Sequence, residues 1–379
     1  MAASGYWPAV VGEALDVGLQ RWWTRGVPPL AEAGLGPPGA PGGPFAAGGG
    51  RTAVVTGPTS GIGRFTALEL VRRGWHVVLA CRSVARGEAV LEGILAELAG
   101  AEGLGTAEVL ALDVSDLASV AAFARALNAR KRPLPLLINN AGLFNMGQAR
   151  TCNGAGREIH IATNHLGPAL LTLLLLPSLR RAGDGDRRRS WSPFKRAAPA
   201  GAVAAGSRSR VVNVSSKLHE ACRLDMADPE QAAGRFSNKE AYGRSKLAGI
   251  LFTRELRRRL GGEGIGCYSV HPGNIVTNIA RSLPAAVQFL YKTFVQALLL
   301  RPDEGARATI YVATGAAVEE EAAVSDGYFT SSCKAILPSK AALDDALALA
   351  VWEWTLADGQ LGALIPQSVL KTLDDDDDS

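Results

Sequence analysis

One stretch constrains this chain more than any other: Thr56-Gly57-Pro58-Thr59-Ser60-Gly61-Ile62-Gly63. It separates an apolar run, Thr52 to Val55, from a helical run that opens at Arg64 and is closed by Gly74. A strand, a glycine turn and a helix in succession form the setting in which such a motif has chemical meaning. Glycines let backbone N–H groups approach a diphosphate, and the positive end of the helix favours its charge. The spacing is G-x-x-x-G-x-G, so the turn is longer than the commonest dinucleotide fingerprint, and Pro58 removes one N–H from it.

From Arg51 onward, short apolar runs alternate with amphipathic ones, the pattern of a parallel sheet covered on both faces. Strands are predicted at Thr52–Val55, Val77–Ala80, Val109–Leu112, Leu134–Ile138, Val211–Val214, Ile265–Val270 and Gly327–Phe329. Helices are predicted at Arg64–Arg73, Ala85–Leu98, Leu117–Asn128, 156–180, Ala241–Leu260 and Ala306–Ala313. A further helix over Leu224–Arg235 would lie beside the site. Residues 183–209 interrupt the rhythm with a basic, then Ala/Gly/Pro-rich stretch that reads as an exposed insertion.

The ends are of different material. Residues 34–50 are a Gly/Pro/Ala linker, and residues 6–25 form an amphipathic segment in which Trp22 and Trp23 stand beside Arg21 and Arg25. Two readings of that segment stand side by side, an interfacial membrane anchor and a helix packed on the body. Residues 283–300 are apolar with a polar stripe of Gln288, Lys292 and Gln296, which reads first as a substrate lid and second as a membrane-touching surface. Residues 356–379 are expected as a tail ending in the acidic run Asp374 to Asp378. Across 379 residues the net charge is only +4, with no nucleic-acid footprint. The five cysteines form no C-x-x-C pair, which points to a reducing compartment and against a metal site. Glu13 and Asp16 interrupt any secretory signal, so the chain is expected on the cytosolic side, free or at a membrane surface such as the endoplasmic reticulum.

A second anchor is Tyr242-Gly-Arg-Ser-Lys246. On a helix these side chains share one face. An ammonium about 4 Å from a phenol favours the phenolate by roughly 4 kcal/mol at an effective dielectric near 20, before solvent discounts it. A phenol tuned in this way exchanges a hydroxyl proton near neutral pH.

With Asn139-Asn140-Ala141-Gly142, Asn164-His165-Leu166-Gly167, Val212-Asn213-Val214-Ser215-Ser216 and His271-Pro272-Gly273 added, the motifs fall in the order found in short-chain dehydrogenases/reductases, over roughly residues 51–355. The spellings Ala80-Cys81-Arg82-Ser83, Thr163-Asn164-His165-Leu166-Gly167 and Tyr242-Gly-Arg-Ser-Lys246-Leu-Ala resemble the retinol-dehydrogenase-like branch, which includes polyprenol dehydrogenases and FOREVER YOUNG-type proteins. The resemblance implies an α/β fold: one Rossmann-type doubly wound domain with a parallel sheet of about seven strands, ordered 3-2-1-4-5-6-7. It implies Tyr242 as acid/base, Lys246 as its tuner and ribose ligand, Ser216 as the donor to the substrate carbonyl, and Asn164 as holder of a water linking Lys246 to solvent. It implies cofactor contacts at Gly57, Ser60, Gly61, Ile62, Gly63, Asn140, Pro272, Gly273 and Thr277, with Asp113 meeting the adenine amine. Asn140 would meet either the adenine ribose or neighbouring backbone.

At the end of the second strand stand Cys81 and Arg82 with no adjacent acid. A guanidinium suits a ribose 2′-phosphate where an NAD site would place a carboxylate, so NADP is expected in preference to NAD. The expected activity is hydride transfer between NADP(H) and a carbonyl or alcohol on an apolar substrate, of retinoid, polyprenoid or steroid type. The alternative is an NADP-binding regulatory or scaffold protein with little turnover. A homodimer through the helices bearing Asn164 and Tyr242 is a further implication of the family.

Overall fold

The computed structural model describes residues 51–145, 149–187, 209–260, 262–273 and 300–374. Residues 6–25, the linker, Thr277, residues 283–299 and residues 188–208 of the expected insertion lie outside these.

Strand β1 (Thr52–Thr56) runs into the glycine turn, and helix α1 (Gly61–Arg72) follows. Gly74, at φ +82°, turns the chain in the left-handed region and donates its N–H to Val71 O at 3.0 Å, so the helix stops where a side chain would strain it. Next come β2 (His76–Cys81), α2 (Val84–Glu97), β3 (Thr106–Ala111), α3 (Leu117–Ala129) and β4 (Leu136–Asn139). Ser83 and Asp116 cap α2 and α3 by accepting N–H bonds from Arg86 and Ala118. The short helix α4 (Ile159–Ile161), a π turn (Ala162–Leu166) and the long α5 (Gly167–Arg187) lead to β5 (Ser209–Val214). A 3-10 turn (Lys217–Ala221), α6 (Asn238–Arg259), β6 (Ile265–Val270), α7 (Pro302–Thr314), α8 (Val318–Ser325) and β7 (Tyr328–Phe329) complete the sheet layer. The chain then adds α9 (Asp345–Ala357), α10 (Gly359–Gly362) and α11 (Gln367–Asp374).

All seven strands are parallel, in the order β3-β2-β1-β4-β5-β6-β7. Alternation along each strand divides the core. Val54 and Val78 face the layer of α3, α5, α6 and α9, whereas Ala53, Val55 and Val77 face α1, α2 and α7. Between β1 and its neighbours β2 and β4 the strand order reverses, and the crevice at the strands' carboxyl ends is where ligands bind in such sheets.

Several expectations need correction. β3 begins at Thr106 rather than Val109, because register with β2 (His76↔Thr106 to Cys81↔Ala111) sets an edge strand where its half-exposed side chains give no apolar signal. The helix expected over 156–180 is broken by the π turn and continues to Arg187, five residues into the expected insertion. No helix forms over Leu224–Arg235: Asp228 accepts the N–H groups of Ala232 and Ala233, and Gln231 and Gly234 take φ of +50° and +77°. Residues 359–374 are not tail: Leu361, Ile365, Val369 and Leu373 are buried in the α5–α6 layer. The stretch Ile159–Ala182 has the length and hydropathy of a membrane span, yet 83% of its most apolar window is buried inside the fold. It is a core helix here.

Candidate active site

The glycine turn is fixed from beneath by Thr56 and Asn140. Thr56 Oγ1 accepts from Asn140 N (3.0 Å) and Ala141 N (2.9 Å), and Asn140 Nδ2 donates to Thr56 O (2.9 Å) and Gly57 O (3.3 Å). The Asn140 amide is therefore committed to backbone. A Cβ on Gly57 would stand 2.9 Å from Ala141 Cα, and one on Gly63 would overlap Gly57 O and Asn140 Nδ2. Gly61, at φ +55°, has nothing within 4 Å of its Cβ position, so its backbone faces open space. Ser60 makes no side-chain cap, and the first N–H groups of α1, at Gly61, Ile62 and Gly63, are those that an α-helix leaves without intrahelical partners. This cradle suits an anionic diphosphate.

The neighbouring strand ends carry the other expected cofactor residues. Arg82 is exposed beyond β2. Asp113, beyond β3, holds Ser115 N (2.9 Å) and Ser115 Oγ (2.7 Å) on one carboxylate oxygen. Pro272 is buried beyond β6, and Gly273, at φ +87°, donates to His271 Nδ1 at 3.2 Å.

On α6 the geometry gathers around Lys246. Its side chain is buried, and Nζ donates to Val214 O at 2.7 Å while lying 5.8 Å from the centre of the Tyr242 ring. The direct partner of the ammonium is thus the strand-end carbonyl, and the phenol feels it from farther off. Burial lowers the ammonium from its ordinary value to about 8, so it remains mostly charged at neutral pH. A Cβ on Gly142 would stand 3.3 Å from Lys246 Nζ and 3.4 Å from Asn164 Oδ1, so this exposed glycine keeps an approach to both.

Asn164 sits in the π turn, where the widened helix turns its side chain to two partners. Oδ1 accepts from Leu143 N (2.8 Å); Nδ2 donates to Leu143 O (3.0 Å) and Ser245 Oγ (2.9 Å), and Ser245 Oγ donates to Tyr242 O (2.7 Å). The amide therefore ties the loop after β4 to the tyrosine helix. Behind it, Asn139, Asn164, Asn213, Ser215 and Lys246 line a small polar cavity. That is room for a water molecule. Asn139 Oδ1 is buried without a protein partner, an acceptor such a water would satisfy.

The two serines after β5 part company. Ser215 is buried and donates to Lys246 O at 3.3 Å, whereas Ser216 is half-buried and accepts from Leu218 N at 3.3 Å, leaving its own hydrogen to donate. The 3-10 turn that Ser216 caps lies against α6 beside Gly243, where a Cβ would come within 2.9 Å of Leu218 O and 3.0 Å of Cys222 Cβ. His219 Nδ1 holds Ser216 O at 2.8 Å. Sequence reasoning missed Gly243, His219 and the ladder Asn139–Asn213–Thr253 (2.7 and 2.8 Å). It also missed Phe144, stacked on Tyr242 at 4.5 Å. Gly243, placed directly after the tyrosine, and Asn139 and Asn213, which stand in the sequence motifs, carried a usable signal; His219, Thr253 and Phe144 did not.

A family model described as short chain dehydrogenase matches residues 51–186. The chain is 37% identical to the Arabidopsis thaliana dehydrogenase/reductase SDR family member FEY, over 80% of this chain and 77% of that protein. The chain belongs to the short-chain dehydrogenase/reductase family. Within it, human retinol dehydrogenase 11 is 36% identical over 80% of this chain and 84% of its own, and the bovine SDR family member 13 is 39% identical over 80% and 72%. These place the protein on the retinol-dehydrogenase-like branch. Among solved structures, an uncharacterised Mycobacterium paratuberculosis protein matches with a TM-score of 0.59 and 31% identity, covering 84% of this short-chain dehydrogenase/reductase and 97% of that chain. Pseudomonas aeruginosa RhlG, solved as an NADP active-site complex, matches with a TM-score of 0.53 and 25% identity, covering 76% and 96%.

Proposed function

We propose that this family member transfers a hydride between NADP(H) and a carbonyl or alcohol of an apolar small molecule. One observation carries the reading: a buried Lys246 one helical turn from Tyr242, its Nζ 5.8 Å from the centre of the phenol ring, beside an open glycine cradle. When bound, the nicotinamide supplies or takes up the hydride. The chain's own residues do the rest. With the cofactor bound, Gly57, Ser60, Gly61, Ile62 and Gly63 would hold the diphosphate, Arg82 the 2′-phosphate and Asp113 the adenine, with Pro272 and Gly273 as further contacts and Thr277 at the amide or a phosphate. Ser216 Oγ donates to the carbonyl oxygen and steadies the charge that develops there. Tyr242 Oη gives that oxygen its proton in reduction and removes it in oxidation. Lys246 keeps positive charge next to the phenol, and Asn164 with the adjoining cavity supplies a water route for refilling it. The apolar substrate class is supported by the relatives named as retinol dehydrogenases.

The test is NADPH oxidation over a panel of retinals, polyprenals and ketosteroids, with Tyr242→Phe and Arg82→Ala alongside. Tyr242→Phe is expected to lose roughly 10²–10⁴-fold in kcat. Arg82→Ala should weaken NADPH by about tenfold while leaving NADH unchanged. A Tyr242→Phe protein as fast as its parent would leave the scaffold alternative standing, and an unaltered NADPH preference would remove Arg82 from the phosphate.

A further inference from the structure

Beyond the residues assigned above, the most enclosed ionisable groups beside the site are Glu158 and His160, both with fully buried side chains. Glu158 Oε2 accepts from His160 N (2.9 Å) and Ile161 N (3.0 Å), and Oε1 lies 2.7 Å from His160 Nδ1. On the far side of the ring, His160 Nε2 lies 3.0 Å from Asn145 N. A backbone N–H can only donate, so Nε2 is the acceptor there. The ring hydrogen then sits on Nδ1 and is donated to Glu158. The carboxylate thus selects one tautomer, and that tautomer fastens the loop after β4 at Asn145.

The residue before Asn145 is Phe144, whose ring stacks on Tyr242 with centroids 4.5 Å apart and planes inclined by 24°. His160 meets the same tyrosine ring edge to face, at 6.3 Å and 82°. Two ring contacts of different geometry restrict both the tilt and the swing of the phenol. An apolar pair would fill the space of Glu158 and His160 without desolvating a carboxylate. What it would lack is direction: nothing would accept the Asn145 N–H and hold Phe144 in register.

We propose that Glu158 and His160 are positioning residues for Tyr242, acting through Asn145 and Phe144 to fix where the phenol oxygen points. This rests on the oxidoreductase reading, in which Tyr242 moves the proton, although the positioning itself can be read without turnover. A displacement of the order of 1 Å at a reacting group costs up to about 10²-fold in rate.

The experiment places 3-fluorotyrosine at position 242, so that its fluorine resonance reports the Phe144 ring current, and pairs this with kcat for NADPH-dependent carbonyl reduction. His160→Phe keeps an aromatic ring but neither hydrogen bond; His160→Gln keeps an acceptor for Asn145; Phe144→Leu removes the stack and leaves the buried pair intact. His160→Phe and Phe144→Leu should each move the resonance toward that of free fluorotyrosine and lower kcat at least about tenfold, with NADPH affinity unchanged. His160→Gln should recover most of both. An unmoved resonance or parental kcat in a folded His160→Phe protein overturns the proposal. If that variant does not fold, a parental kcat in Phe144→Leu overturns it instead. Should the parent reduce no carbonyl at all, the oxidoreductase reading fails, and the resonances still decide the positioning.

Discussion

Lys246 illustrates how much a single side chain reveals once its surroundings are known. From its spacing, it was readable as a cation facing Tyr242; its bond to Val214 O and its burial were not, since both depend on β5 arriving beside α6. Burial has a measurable consequence. The folded protein releases this proton at about 8 and the unfolded chain at an ordinary lysine value. Between those values the unfolded state binds more protons, so the penalty on the folded state fades and stability rises with pH. Relative to Lys246→Met, the parent should gain about 2 kcal/mol between pH 7.5 and 9.5, measured by urea unfolding of both proteins at each pH. A constant difference would mean that the ammonium is not desolvated. Asn140 and Asn164 teach the same lesson from the other side. Their place in the motifs was visible, but the carbonyls and hydroxyl that hold their amides come from segments remote in the chain.

Elements were legible where periodicity and turn chemistry agreed. β1, β6, α2 and α3 were anticipated to within two residues at either end, because apolar strands ending in turns and capped helices announce themselves locally. The π turn did not, since a widened turn has no periodic signature of its own. Nor did the C-terminal helices, whose apolar residues gain meaning only against α5 and α6. Trp352 on α9 stacks on Phe252 of α6 at 5.1 Å, His165 donates to Thr355 Oγ1 at 2.8 Å, and Arg259 donates to Leu373 O at 2.9 Å. These helices cover part of the α5 and α6 surface through which a homodimer was expected. Ending the chain after Ala357 removes the buried side chains of Leu361, Ile365, Val369 and Leu373. At about 1.5–3 kcal/mol for each, the loss is comparable with the whole stability of an ordinary domain. The shortened protein should melt at least about 10 °C lower or lose its cooperative transition, by calorimetry. A parental melt would return these residues to the status of a tail.

At the level of the whole molecule, several histidines are sealed in the fold rather than offered to solvent. Burial holds His165 and His271 each at about 3, and pushes His219 in the same direction. Above the ordinary histidine value these rings are neutral whether folded or not. As pH falls below it, the unfolded chain takes up protons that the folded one refuses, and stability is lost at about 1.4 kcal/mol per pH unit for each ring. Calorimetry near pH 5, in buffers of different ionisation enthalpy, should find about two protons or more taken up on unfolding; an uptake near zero would place these rings in solvent. The same packing ties the segment after β7 back to the site. Arg157 bridges Glu230, beside the site, to Asp358 at the start of α10, and Arg254, on the tyrosine helix, reaches Ala342 O and Asp345. The segment after β7 is therefore a clamp on helices that precede it, so the layer that carries Tyr242 and Lys246 depends on residues well beyond the last sequence motif.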